Sequence, residues 1–296
     1  METETFSLII FISIININKT LMKNLNKITS IKLLALVTFS VLIFGCDKDA
    51  VQSLPDRNFE LVWSDEFDGN AGTLPDATKW TYDLGNGAGG WGNQELQNYT
   101  NAADNVSLDG NGNLVITAIR NGNSFTSGRI KTQGLYAHKF GKIEARIKTP
   151  FGPGIWPAFW MLGENIDTVG WPNCGEIDIM ELKGHQPHII YGSLHGPGYS
   201  AGNAITKMYG LQNDRFDNDF HIFAIEWQEN QIDFFVDGYL YKRVKASEVN
   251  GEWVYNQPFF MILNLAVGGN FVGFPTDGTL FPQKMYVDYV RAYKSM

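Results

Sequence analysis

The run Cys174-Gly175-Glu176-Ile177-Asp178-Ile179-Met180-Glu181 places three carboxylates within six residues and separates them with Ile177, Ile179 and Met180. β-Branched residues alternating with polar ones describe a half-buried strand. On such a strand Glu176 and Asp178 share a face, because successive side chains point to opposite sides. Strict alternation sends Glu181 to the other face, since it lies five residues from Glu176. One extra residue at Ile179-Met180, a β-bulge, returns it to the face of the other two, and bulges are frequent beside active sites. Alternating acids usually mark a solvated face. Three on one face, however, repel one another and stabilise nothing locally, so the pattern points to chemistry.

Distance sets what that chemistry can be. With one bulge the Cα atoms of Glu176 and Glu181 stand about four strand steps, roughly 13 Å, apart. Each side chain leaning inward by about 4 Å leaves roughly 5 Å between the carboxyl groups, which suits a retaining glycosidase, whereas an inverting one needs roughly 6.5–9.5 Å.

The same run resembles the Glu-x-Asp-x-x-Glu signature of glycoside hydrolase family 16. The resemblance extends to Trp-Gly-Asn-Gln-Glu-Leu-Gln-Asn-Tyr-Thr (91–100), Trp-Pro-Ala-Phe-Trp-Met-Leu (156–162) and Leu-His-Gly-Pro-Gly-Tyr-Ser (194–200). Asn-Leu-Ala-Val-Gly-Gly (264–269) and Val-Asp-Tyr-Val-Arg (287–291) continue it in family order, and together these segments are similar to the laminarinase branch. The resemblance implies Glu176 as nucleophile, Glu181 as general acid/base and Asp178 as the support of the nucleophile. It also implies endo-hydrolysis of β-1,3-glucan with retention, with no cofactor required for catalysis. Mixed-linkage β-glucanase and agar or carrageenan hydrolase are the alternatives within the family. Met180 argues against the lichenase branch, whose motif lacks the extra residue. A catalytically dead carbohydrate-binding module is the alternative outside enzymes, and its usual sign, a lost carboxylate, is absent.

Outward from this strand the chain reads as many short strands with little helical periodicity. Lys142-Ile-Glu-Ala-Arg-Ile-Lys148 alternates cleanly, and 220–227 and 231–236 flank a turn at Gln228-Glu229-Asn230. Asp237-Gly238 makes a second turn before 239–244, and strands are expected at 113–119, 259–265 and 285–293. Gly-rich turns without a βαβ rhythm indicate an all-β fold, a β-sandwich jelly roll. The resemblance adds a substrate cleft on its concave sheet. We find no internal repeat and no second domain, so 58–296 is expected to be one catalytic domain.

Residues 1–45 read as a lipoprotein signal peptide. Lys23, Lys27 and Lys32 precede an apolar core of about 13 residues, too short for the roughly 20 that span a bilayer. Translation starts at Met22 on this reading, with 1–21 untranslated; otherwise the first apolar run makes an unusually long leader. The sequence Leu42-Ile43-Phe44-Gly45-Cys46 resembles a lipobox, which makes Cys46 the lipidated residue and 46–57 a tether. The expected location is therefore the outer membrane or cell surface, reached through a lipid anchor. Cys174 is then the other cysteine, a small buried residue, and no intrachain disulfide can form. Removing 1–45 takes away four lysines and two glutamates, so the net charge of −8 becomes −10. That disfavours nucleic acid and sulfated polysaccharides as partners and leaves a neutral β-glucan acceptable to a monomeric enzyme.

Trp156, Trp160 and Trp171 lie just ahead of the acids. An indole offers a flat surface to the C–H face of a sugar, and Trp156 and Trp160 share a strand face by parity. His195 is assigned to substrate contact and, by resemblance, stands near the acid/base. Asn86 and Arg129 resemble positions that bond sugar hydroxyls, and Glu95 is a further cleft candidate. Glu66, Gly112 in its Asn111-Gly112-Asn113 turn, and Asp288 resemble parts of a structural calcium site remote from the cleft, and their oxygens suit that ion.

Overall fold

The computed structural model describes Gln52 and residues 57–296. The expected leader, Cys46 and nearly all of the tether lie outside the described residues. Ten strands form one sheet: β1 (Phe59–Asp65), β3 (Gln97–Tyr99), β4 (Val106–Leu108), β5 (Leu114–Asn121), β6 (Ser124–Ser127), β8 (Gly141–Lys148), β13 (His221–Gln228), β14 (Gln231–Val236), β15 (Tyr239–Lys245) and β17 (Gln283–Ser295). Their order is β15-β14-β13-β8-β17-β5-β6-β3, with β1 also on β17 and β4 also on β5. The second sheet holds seven: β2 (Thr81–Tyr82), β7 (Arg129–Lys131), β9 (Ile155–Gly163), β10 (Glu176–Leu182), β11 (Ile189–His195), β12 (Ile205–Gly210) and β16 (Phe259–Val267). They run in the order β12-β11-β10-β9-β16-β7-β2. Pairing is antiparallel except between β3 and β6.

The two sheets stack because each has an apolar inner face. Ile143, Ala145 and Ile147 of β8 meet Phe159 and Met161 of β9, Ile177 and Ile179 of β10 and Leu263 of β16 in one buried cluster. This is the predicted sandwich. β16 is buried along its whole length. Its odd-numbered residues enter that core, while Phe260 and Ile262 on the other face cover Leu162 and Cys174. Cys174 is thus the small buried residue expected, and burial pushes its thiol up to about 11, where it is inert.

Turn chemistry sets the hairpins. Gln228 pairs directly with Gln231, leaving a two-residue turn at Glu229-Asn230. Asp237 and Gly238 both have positive φ, 49° and 81°, the pattern of a type I′ turn that matches strand twist. Among the described residues no helix is long and apolar enough to cross a membrane.

Candidate active site

The expected bulge is present. Asp178 pairs with Trp160 of β9 and Met180 with Phe159, so two residues of β10 oppose one step of its neighbour. Ile179 and Met180 are both buried in the core, and Glu181 returns to the outer face of the sheet beside Glu176 and Asp178. A cleft of about 770 Å³ opens over this face. Its lining includes the three carboxylates, Trp156, Trp160, Trp171, Glu95, Arg129 and His195.

Each glutamate is held by an indole. Trp171 Nε1 donates to Glu176 Oε2 at 2.9 Å, and Trp156 Nε1 donates to Glu181 Oε1 at 3.1 Å. Trp171 nonetheless leaves 45% of its surface exposed, so its ring is free for a sugar. Trp160 is fixed differently, donating to Asn264 Oδ1 at 2.7 Å. Asn264 in turn donates to Tyr99 OH, which donates to Glu95. Glu95 also accepts from Gln97 at 2.6 Å, so it is a buried brace of the cleft floor.

His195 pairs opposite Glu176 across β10 and β11. Its Nε2 lies 3.0 Å from Asp178 Oδ2 and 3.7 Å from Glu176 Oε1. The histidine therefore stands beside Glu176 and Asp178, and near enough to Glu181 to act on it electrostatically. Its Nδ1 accepts the Ala201 backbone N–H at 3.2 Å, which leaves the ring proton of the neutral form on Nε2, facing Asp178. Glu176, Asp178 and His195 are the one group of three metal-capable side chains among the described residues. Because Nε2 carries that proton in the neutral form, the set is poorly matched to a metal.

Burial raises all three acids. It lifts Glu176 to about 8 with help from the charge of Asp178, and lifts Asp178 to about 7. Glu181 is pushed well above the ordinary range by burial first, then by Asp178 and Glu176. The cluster titrates as a unit and keeps a proton near neutrality. Such a site has both a carboxylate to attack and a carboxylic acid to donate.

Two sugar-binding assignments change. Asn86 lies outside the cleft lining, because its amide nitrogen is spent on the backbone carbonyls of Glu95 and Gln97, at 3.1 and 2.9 Å. It holds the approach to β3. Arg129 lines the cleft but is wedged between the rings of Trp91 and Trp160, 4.6 and 4.8 Å from their centroids, and paired with Asp83 at 2.8 Å. Its chief contacts are these two indoles and Asp83. Sequence reasoning missed Trp91, Asn264 and Phe271, which packs 5.1 Å from Trp156; each lies within a family-like run or next to one, but no local pattern marks its role.

Two of the expected calcium ligands have arginine partners. Glu66 is bound by Arg291 through two bonds of 3.0 and 2.7 Å, and Asp288 by Arg146 at 2.6 Å. Gly112 does lie beside Glu66: a methyl carbon built on it would stand 4.0 Å from the Glu66 carbonyl oxygen. Asp68 Oδ1 lies nearer still, 3.7 Å from that carbon, so a carboxylate and a backbone oxygen of the kinds calcium takes flank the turn, while Glu66 and Asp288 are paired with arginines.

The glycosyl hydrolases family 16 description matches residues 93–291. The chain is 40% identical over 271 residues to a beta-glucanase of Rhodothermus marinus, a match covering 86% of this chain and 92% of that one. It is 39% identical over 81% of its length to the clotting factor G alpha subunit of Tachypleus tridentatus, but spans only 34% of that protein. The solved laminarinase catalytic domain of Thermotoga maritima superposes with a TM-score of 0.76 at 47% identity, over 81% of this chain and 99% of that one. With the bulged three-carboxylate strand at the floor of its cleft and the family match over most of its length, the chain belongs to the glycosyl hydrolases of family 16.

Proposed function

We propose that the protein is an endo-β-1,3-glucanase of the laminarinase type that works with retention. The observation that carries the reading is the bulge, which sets Glu176 and Glu181 on one cleft face with Asp178 between them. Glu181, protonated, gives its proton to the glycosidic oxygen as that bond breaks. Glu176 attacks the anomeric carbon from the opposite side, and a covalent glycosyl-enzyme forms. Asp178, with the His195 N–H beside it, supports the nucleophile. Glu181, now ionised, takes a proton from water, whose oxygen displaces Glu176 and restores the starting configuration. Proton and nucleophile both come from the chain, so no cofactor enters.

A neutral glucan suits the charge of −10, and the indole faces supply the stacking that sugar rings need. The test compares kcat/KM on laminarin, lichenan and agarose under one condition, with the first product's anomer followed by NMR. Laminarin turned over fastest, with a β-configured first product, is expected; an α-configured product, or faster cleavage of agarose, overturns the reading.

We also propose that Cys46 carries a lipid that anchors the enzyme to the outer membrane or cell surface, and that the enzyme acts as a monomer. The short apolar core ending in Gly45-Cys46 supports the anchor. Fractionation of wild type and Cys46→Ser decides it, membrane-bound wild type and released variant being expected. Light scattering of the released form tests the monomer.

A further inference from the structure

The seven-stranded sheet carries the chemistry, yet a charged side chain reaches its underside from the other sheet. Register along β14 and β15 slips between Phe234, which faces Lys242, and Phe235, which faces Leu240. This second bulge makes both Tyr241 and Lys242 inward residues, buried to 5% and 4% exposure between exposed Tyr239 and Arg243. The Lys242 ammonium donates to Gly192 O at 3.0 Å and Ile205 O at 2.6 Å, and stands 4.3 Å from the Phe234 ring centroid. Among the described residues it has no carboxylate within ion-pair distance.

A buried ammonium held by neutral groups is costly unless an opposite charge lies close enough to be felt. Gly192 precedes Ser193, which pairs with Asp178 across β10 and β11. Ile205 precedes Thr206, whose hydroxyl lies 2.9 Å from that of Ser193. Ser193 and Thr206 both line the cleft. We infer that Lys242 is a positioning residue for the hydrolysis, fastening the β11–β12 wall of the cleft from below and balancing the negative charge of Asp178.

The groups around it divide cleanly. Asp178 on β10 favours the charged ammonium, while burial and Lys207 on β12 oppose it, bringing Lys242 down to about 7. Asp233 of β14 and Glu226 of β13 belong to a different cluster, with Arg243 and Arg57. Tyr241 is kept neutral by burial and by the charges of Asp178 and Glu181.

The inference rests on the proposed reaction, so the wild type's own laminarin hydrolysis is the control that separates failure of one from failure of the other. Lys242→Met keeps the apolar stem and removes the charge. Without that charge the carboxylates ionise less readily, so the acid limb of the kcat/KM profile should move up by about half a pH unit or more. KM should change little. A variant that melts earlier while its pH profile matches wild type would reduce Lys242 to a structural residue and overturn the inference. The second arm uses the Lys242 side-chain carbon resonance in full-length wild type and Asp178→Asn, and needs neither activity nor the lysine variant. Its titration midpoint should fall in Asp178→Asn; an unchanged midpoint overturns the coupling.

Discussion

Trp156 and Trp171 each touch one glutamate with an indole N–H, and the same kind of bond has opposite consequences at the two ends. A donor aimed at a carboxylate favours its ionised form. At Glu176 that assists attack, so Trp171→Phe should move the acid limb of kcat/KM upward and lower kcat about tenfold, the size of one charge-assisted bond. At Glu181 the bond works against the protonated acid, so Trp156→Phe should move the basic limb upward. A common shift of both limbs in both variants would refute this division. Stability follows from the same acids. Burial keeps Glu181 protonated in the fold, well above the ordinary value of 4.5. The folded chain thus holds a proton that the unfolded one releases, and stability falls as pH rises above about 4.5. Glu181→Gln should therefore melt several degrees above wild type at pH 7 and near it at pH 4. Equal differences at both pH values would contradict this. The three carboxylates, Trp156, Trp160 and Trp171 were legible because their chemistry lies in residue type and spacing, whereas Trp91 was not. The indole bonds, the Arg129 sandwich and the capture of Asn86 by backbone were not, because they depend on rotamers and on loops packed from elsewhere.

At the scale of elements the two bulges differ in how far the sequence reveals them. The one in β10 is legible because parity alone would bury a carboxylate, Glu181, in the core. The one in β15 is not, since Tyr-Leu-Tyr-Lys-Arg reads as ordinary alternation with the lysine outward. Strands β5, β8, β13, β16 and β17 and the Asp237-Gly238 hairpin emerged for the same reason: a long alternating or apolar run, or a turn with two positive φ values, leaves a pattern. Strands of two to four residues, such as β2, β3 and β7, show no period and owe their existence to neighbours. Parity also makes a test. Deleting Met180 removes the bulge and leaves the acid four residues from Glu176, on the same face. Deleting Ile179 and Met180 together turns it toward the core. The single deletion should retain measurable laminarin hydrolysis with some loss of stability, whereas the double deletion should abolish hydrolysis. Equal loss in both would mean that the bulge, and not the face, is what catalysis needs.

For the whole molecule, the two stacked sheets bury one large shared core among the described residues. The sandwich itself was readable from strand count and turn composition, and the resemblance located the cleft. The arginine partners of the expected calcium ligands were not legible, because residue types at matching positions do not reveal their partners. Asp288 faces Arg146 and Glu66 faces Arg291, and hydrogen bonding to that arginine holds Glu66 below the usual carboxylate range. All four side chains are about a third exposed, so solvent screens these pairs and each contributes on the order of 1 kcal/mol or less. Two consequences distinguish arginine pairs from a cation site. With arginine pairs alone, a chelator should leave the melting temperature unchanged, since Arg291 of β17 already holds Glu66. Asp288→Ala should lower the melting temperature by no more than a few degrees, equally with and without calcium, and the loss should shrink in high salt. Melting curves of both proteins in chelator, in calcium and in concentrated salt decide it. A chelator-induced fall that calcium reverses in wild type, and that Asp288→Ala no longer shows, would put the ion back.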